Sequence, residues 1–357
     1  MADRRPLVLI DARFARRRHT GIATYLDELR AAMTGADADD LRMEWMDGPP
    51  GLPRRGRVTS LGNLVLDLLW LHVWVPLAAW RRRAALVHAP VNWAPWWCPA
   101  RTVVTVHDVA WERVPEAFPS GFRRYARLFA RRSVLRARVV MADSRRTARD
   151  LAELYGVPEA KLRVVPLGAA ASAEGPSGRE PFVLAVGVRD ARKRTAALVE
   201  GHRRYWEAAN GDPGRCRLVL AGPPGDEEEE VLAVGSPAVD LLGFVSRAEL
   251  GDLYRRASLL VYASSYEGFG LPVLEAMANG CPVLVARSSA LEEVGGDAAL
   301  PLEDTTPDGI AARLAEVLAD PGALTARGAA GRERAGAFTW ARTAAETLAA
   351  YRDALRP

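Results

Sequence analysis

The stretch from Ser258 to Asn279 constrains the fold of this chain most. Ser258-Leu259-Leu260-Val261-Tyr262-Ala263 is a continuous apolar run that reads as a buried parallel strand. Leu271 to Asn279 reads as a helix with Pro272 in its first turn, where a missing N–H costs nothing. Only a short loop, Ser264 to Gly270, joins them. A strand that runs through a glycine-containing loop straight into a helix is the building unit of an open parallel sheet.

The same stretch carries two carboxylates eight positions apart, Glu267 and Glu275. Glu267 falls in the loop and Glu275 about one turn into the helix. Gly268 and Gly270 allow backbone amides to face a ligand at the helix N-terminus, a ready anion site. One acid in the loop and one on the helix can grip hydroxyls at the two ends of a molecule whose phosphates lie between. A sugar nucleotide has that shape. A helix cap by Glu267 and a solvated Glu275 would explain the acids but neither glycine.

The rest of the chain repeats the strand–helix alternation. Candidate strands in the first half are Leu7–Asp11, Met43–Met46, Ala85–Ala89, Thr102–His107, Val139–Ala142 and Arg163–Pro166. Helical patterns fall at Ile22–Met33, Leu64–Trp80, Phe122–Leu135 and Thr147–Tyr155. The small, aperiodic run from Gly168 to Gly178 reads as a linker. A second series of strands follows at Phe182–Val186, Leu218–Ala221, Leu241–Phe244, Leu259–Tyr262 and Val283–Ala286. The expected organisation is an N-terminal domain over 1–172, which the resemblance described below makes the acceptor side, a linker over 173–180, and a second domain over 181–339, which it makes the nucleotide-sugar-binding one. A final helix over 340–357 completes it. A chain of 357 residues is long enough for two such cores. Glu227–Glu230 reads as the solvated start of a helix.

Charge is unevenly spread. Residues 1–172 hold 28 Lys+Arg against 17 Asp+Glu, a balance of +11, and residues 173–357 balance at −7. The basic half fits either an anionic partner or membrane surface, or simply an arginine-rich solvated face. No nucleic-acid module appears, so nucleic acid is not expected as a partner. Cys98, Cys216 and Cys281 form no metal or disulfide pattern, and no secretory signal is visible, so a cytoplasmic protein is expected.

The acid block resembles the Glu-x7-Glu signature of retaining glycosyltransferases of family 4. The match includes Gly268-Phe269-Gly270-Leu271-Pro272 and continues through Ala276-Met277-Ala278-Asn279-Gly280-Cys281-Pro282-Val283. Asp11-Ala12-Arg13 through His19-Thr20-Gly21-Ile22, and Trp340 through Tyr351, are similar to the opening and closing segments of that family. The resemblance implies the GT-B fold: α/β, two Rossmann-like parallel-sheet domains facing across a cleft, with the last helix crossing back to the N-terminal domain. It also implies that Glu267 touches the donor sugar and that Glu275 binds ribose hydroxyls. The donor-binding set then comprises Gly21, Arg189, Lys193, Glu267, Gly268, Phe269, Gly270, Leu271 and Glu275. His107, Lys193 and Glu267 form the catalytic set.

Gly187-Val188-Arg189-Asp190-Ala191-Arg192-Lys193 follows the first strand of the second half. In the family, basic residues here neutralise the donor diphosphate as the sugar leaves. This chain has Ala191 where Pro is common and Arg194 where Asn is common, which bears on the shape of the loop. Of 48 basic residues only Lys161 and Lys193 are lysines, so a lysine at this point suggests that a compact ammonium is wanted. His107 ends a strand, and the resemblance places it near the transferred sugar. Asp108 either orients it or caps the next segment, and His88 is a lesser site candidate. Asp143-Ser144-Arg145 either reaches the acceptor side or caps a helix through Ser144.

No metal and no cofactor is expected. Asp37-Ala38-Asp39 has the letters of a metal motif but reads as a polar turn. The expected activity is transfer of a hexose, with GDP-mannose as donor, to an acceptor hydroxyl with retention. The acceptor class is left open between a glycan, a lipid-linked molecule and a small natural product. An inactive sugar-nucleotide-binding or scaffold protein, or a GT-B phosphorylase or epimerase, is the alternative. Leu64–Trp80, with Trp70, Trp74 and Trp80 before Arg81-Arg82-Arg83, reads as a core or acceptor-domain helix in preference to a membrane-docking one. Peripheral membrane contact is left open on that ground. Trp93, Trp96 and Trp97 either stack on an acceptor or pack their own loop.

Overall fold

The computed structural model describes residues 5–16, 21–36, 38–49, 57–169, 178–210, 212, 214–287 and 290–357. His19, Thr20, Asp37 and most of the expected linker lie outside these residues. The chain forms two compact units. The first comprises Met1–Glu112, Pro119–Leu167 and Trp340–Pro357, and the second Arg113–Phe118 and Gly168–Thr339.

The first unit is built on strands β1 (Leu7–Asp11), β2 (Arg42–Met46), β3 (Leu86–Ala89), β4 (Arg101–Val106), β5 (Val139–Ala142) and β6 (Leu162–Val164). They pair in parallel in the order β2-β1-β3-β4-β5-β6. The expected Arg163–Pro166 strand is shorter, and the other five agree to within a residue. β1, β3 and β5 are buried along their whole length, which is why they appear in the sequence as apolar runs, interrupted only by Asp11 and His88. The helix Trp340–Leu355 buries Trp340, Ala344, Thr347, Tyr351 and Ala354, a stripe at helical spacing.

The second unit holds β7 (Glu180–Val186), β8 (Arg217–Ala221), β9 (Val239–Gly243), β10 (Ala257–Tyr262), β11 (Val283–Ala286) and β12 (Leu300–Leu302), all parallel. Their order is β12-β11-β10-β7-β8-β9. Val183, Leu218, Leu259 and Leu284 meet Leu198, from the helix Thr195–Ala208, in one cluster on this sheet. Each such fully buried side chain contributes roughly 1.5–3 kcal/mol. β12 was not expected: three residues containing Pro301 at a sheet edge leave too short a pattern.

The region read as one helix over Leu64–Trp80 is continuous but not regular. An α-helix, Arg57–Leu69, runs through a wide π turn, Trp70–Trp74, into a second α-helix, Val75–Arg81. In the wide turn the Val75 N–H donates to the Trp70 carbonyl five residues back. The turn lies just before Pro76, which has no N–H to continue the ladder.

Candidate active site

Open parallel sheets bind ligands beyond the carboxyl ends of their strands, where the strand order reverses. In the second unit that point lies between β7 and β10. A hollow there is lined by Val186, Gly187, Lys193, Thr195, Tyr262 and Ser264, among others. Gly187 leaves β7 with φ +130°, and a Cβ on it would lie 2.0 Å from Lys193 Nζ. Glycine at 187 therefore makes room for the lysine to fold back over the strand end. The Asp190 carboxylate accepts from the Lys193 N–H at 2.9 Å and shapes the turn Ala191–Lys193.

Lys193 Nζ donates to the Tyr262 hydroxyl at 3.0 Å, and that hydroxyl donates to Glu267 Oε1 at 3.2 Å. Glu267 Oε1 also accepts from Arg192 Nη1 at 2.6 Å and Ser264 Oγ at 2.9 Å. Burial opposes the charge on Glu267, but Arg192 and Lys193 outweigh it and hold the carboxyl below its usual range. Burial lowers the Lys193 pKa, partly countered by Glu267. Tyr262, raised well above its ordinary value by burial and by Glu267, remains a proton donor. The result is a cation–phenol–carboxylate chain with a second cation at its end.

Arg189, expected among the phosphate ligands, lines the same hollow, but its guanidinium is already paired. It is buried and forks onto Glu228, with Nη2 3.0 Å from Oε1, while Nη1 donates to the Gly222 carbonyl at 2.6 Å. Its charge is consumed in tying two loops together, and Arg192 is the arginine beside Lys193. The acidic run at Glu227–Glu230 is correspondingly more than a solvated helix start, since Glu228 is that partner. Arg194 adopts φ +54°, a left-handed conformation that Asn tolerates better than Arg, and the loop still closes.

Gly270 caps the helix Leu271–Ala278 with φ +95°, and a Cβ there would lie 2.5 Å from Leu291 Cδ2. Gly270 has no side chain with which to cap this helix. Gly268 and Phe269 are buried and Leu271 is half-buried at the first helical position. The Phe269 ring packs edge-on against Phe338 at 6.0 Å, so it anchors the loop and presents only backbone to a ligand. Glu275 is half-buried, and its Oε2 accepts from the Tyr254 hydroxyl at 3.1 Å. Burial and the neighbouring Glu275 push the Tyr254 pKa well up, so it keeps the proton it donates.

In the first unit, His107 stands just beyond β4. Its Nδ1 lies 2.7 Å from Asp143 Oδ2 and its Nε2 2.9 Å from the Pro90 carbonyl. Both partners accept, so the ring is held as a donor at both nitrogens. Burial disfavours that charge, but Asp143 and the carbonyl raise the pKa above its ordinary value. The two contacts thus favour the protonated ring over the neutral one. Asp143 orients it, while Asp108 caps Ala110 N at 3.0 Å and Ser144 caps Thr147 N at 3.0 Å. His88 is wholly buried between Thr105 Oγ1 and the Tyr351 hydroxyl, each at 2.8 Å, and belongs to the core. Gly21 opens the helix Gly21–Thr34, and a Cβ on it would meet open space, so packing does not demand glycine there. Arg192, Tyr262, Ser264 and Tyr254 were not singled out from sequence. Only Arg192 carried a signal, its place beside Lys193.

The family model for group 1 glycosyl transferases matches residues 170–334, and that for glycosyltransferase family 4 matches residues 20–172. A D-inositol 3-phosphate glycosyltransferase of Kineococcus radiotolerans is 30% identical over 328 residues, covering 81% of this chain and 72% of that protein. The O-antigen chain mannosyltransferase B of Escherichia coli is 27% identical over 270 residues, covering 71% of this chain and 70% of that protein. Among solved structures, the sucrose-phosphate synthase of Thermosynechococcus elongatus superposes with a TM-score of 0.73 at 18% identity, covering 98% of each chain. Two six-stranded parallel sheets, a family match across both halves and a relative aligned over most of both lengths lead to one assignment: the chain is a glycosyltransferase of family 4 with the GT-B fold.

Proposed function

We propose that this glycosyltransferase moves a hexose from a nucleoside diphosphate sugar to an acceptor hydroxyl with retention of anomeric configuration, without a metal ion. The observation that carries the proposal is the Lys193–Tyr262–Glu267–Arg192 cluster at the point where the second sheet reverses its strand order. A departing diphosphate gathers negative charge, and a half-buried ammonium fixed before the reaction stabilises it without reorganisation. The N-terminus of the helix Leu271–Ala278, which opens at Gly270, adds backbone dipoles of the same sign. Glu267, already ionised, supplies an acceptor for a sugar hydroxyl, and Glu275, steadied by Tyr254, one for the ribose. Front-side attack, with the leaving phosphate taking the acceptor proton, follows the family's mode of reaction. His107 is assigned to positioning the sugar as a cation. GDP-mannose is the first donor to test, because the Escherichia coli relative is named for mannose transfer.

Purified protein is offered GDP-mannose, UDP-glucose, dTDP-rhamnose and ADP-glucose, with and without EDTA. Product release and anomeric configuration are read by NMR. An α-linked product or α-sugar from an α-donor, formed in EDTA, supports the proposal. An inverted product, or turnover that EDTA abolishes and magnesium restores, would falsify it.

A further inference from the structure

Gly62–Arg81 is long and apolar enough to cross a membrane, being 20 residues or about 30 Å of helix. It does not stand apart from the fold. Leu71, Val75 and Ala79 are buried, and Val75 and Ala79 join the core cluster of Leu7, Leu9 and Val87. Trp70 Nε1 donates to Asp11 at 2.9 Å, and the Asp67 carbonyl accepts from Arg13 at 2.8 Å. The opposite face is the anomaly. Val65, Leu69, Val73 and Trp80 recur at helical spacing and are exposed, Trp80 by 65% and its neighbour on the face, Trp74, by 56%. A surface helix of a soluble domain ordinarily puts polar residues there. Of the two readings, a core or an acceptor-domain helix, a fully buried core helix does not hold: Leu71, Val75, Pro76 and Ala79 are buried, and the opposite face is apolar and turned to solvent.

The face continues onto other elements. Trp96 N–H donates to His72 Nδ1 at 3.2 Å, which sets the Trp96–Trp97 loop beside the helix, and Trp97 is 64% exposed. Arg132 lies over the Trp96 ring at 4.9 Å. Arg132 belongs to the helix Ser120–Arg136, which carries six arginines and no acid. Arg81 and Arg83 are exposed at the other end of the apolar stripe. The patch is thus an apolar centre with tryptophans and an arginine margin.

We propose that this face docks in the plane of a bilayer bearing anionic phospholipid headgroups. A bilayer surface supplies an apolar layer beneath an anionic one, which matches the apolar stripe and the arginines together, and tryptophan favours that boundary. A second copy fits less well, because a two-fold interface through this face sets arginine margin against arginine margin. A span is excluded by the core contacts of Leu71, Val75 and Ala79.

The full chain is sedimented with vesicles of phosphatidylcholine alone and of phosphatidylcholine with phosphatidylglycerol. Tryptophan quenching by bromolipid is read in parallel. The expected result is binding to the anionic vesicles at least tenfold tighter than to the neutral ones, with quenching. Val73→Asp/Trp80→Ser should lose binding more than tenfold, and Arg81→Gln/Arg83→Gln/Arg132→Gln should lose the preference for anionic lipid. Because the second variant touches only exposed polar heads, it carries the test should the first fail to fold. Equal binding to both vesicles, no binding by the wild type, or unchanged binding by the folded variants overturns the proposal. So does sedimentation equilibrium showing a dimer that Val73→Asp/Trp80→Ser dissociates, which would make the face a contact between copies. None of these readings uses turnover, so they stand or fall separately from the donor assignment.

Discussion

Arg192 Nη1 lies 2.6 Å from Glu267 Oε1, so the acid of the loop is fixed by a cation before any ligand arrives. Arg192 Nη1 also donates to the Tyr266 carbonyl at 2.8 Å, which fixes the guanidinium in turn. Arg192→Ala should lower kcat by about tenfold to a hundredfold, because a misplaced contact near the reacting sugar is lost in the transition state. Arg192→Lys should recover only part, since it keeps the charge without the planar fork. Steady-state kinetics on both variants check this, and wild-type kcat in Arg192→Ala would remove the positioning role.

The two acids should fail differently. Glu275→Ala removes an interaction assigned to the ribose and should weaken donor and free nucleoside diphosphate alike, mainly through KM. Tyr254→Phe should reproduce part of that loss, about fivefold, the worth of roughly one hydrogen bond. Glu267→Ala should leave nucleotide affinity nearly unchanged while turnover falls, because the contact strengthens only as the sugar departs. Calorimetric titration with the nucleoside diphosphate decides it. The opposite pattern in folded variants reverses the two roles.

Gly187→Ala should leave the protein folded but impair it. The new methyl would lie 2.0 Å from Lys193 Nζ, and the nearest atoms are the far end of a flexible side chain, which can move away. Displaced, the ammonium no longer faces the leaving group, and turnover should drop by about a hundredfold, as for Lys193→Ala. The positive φ adds a backbone cost of about 1–3 kcal/mol. A thermal melt with a modest fall in Tm beside a large fall in kcat is the expected signature.

His88 should make the protein acid-sensitive. Burial, with a smaller contribution from His107, lowers its pKa from 6.5 to about 3. The unfolded chain therefore binds a proton that the folded one refuses, and stability falls as pH drops below 6.5, at about 1.4 kcal/mol per pH unit at most, until about pH 3. His107 has the opposite sign: its raised pKa contributes stability that is fully present below 6.5 and is lost as pH rises through its folded value. Urea melts from pH 7 to pH 4 should show a shallower acid slope in His88→Gln than in the wild type. An identical slope means that His88 is not the titrating group.

The strands were legible because a strand buried on both faces leaves an unbroken apolar run, as in Val139–Ala142. The loop from Glu267 to Gly270 was legible because its glycines and acids are adjacent in the chain. Pairings across distance were not. Tyr254 and Glu275 are 21 residues apart, and His107 and Asp143 are 36 apart, so nothing local links them. The pairing of Arg189 has the same origin: its partner Glu228 lies 39 residues beyond it in the chain. Composition also could not tell that only one narrow face of the helix around Val75 is buried.

The Tyr351 hydroxyl completes the hydrogen bonding of buried His88 at 2.8 Å, and Trp340, Ala344 and Tyr351 close the first unit from the far end of the chain. This reverses the usual sequence of maturation during synthesis, in which an N-terminal domain folds before its successor emerges. Here the first unit waits, with a polar nitrogen and an apolar surface unsatisfied, until every residue of Gly168–Thr339 has been made. The second unit has its whole sheet in hand by then. The first unit to be translated is thus the last to be closed.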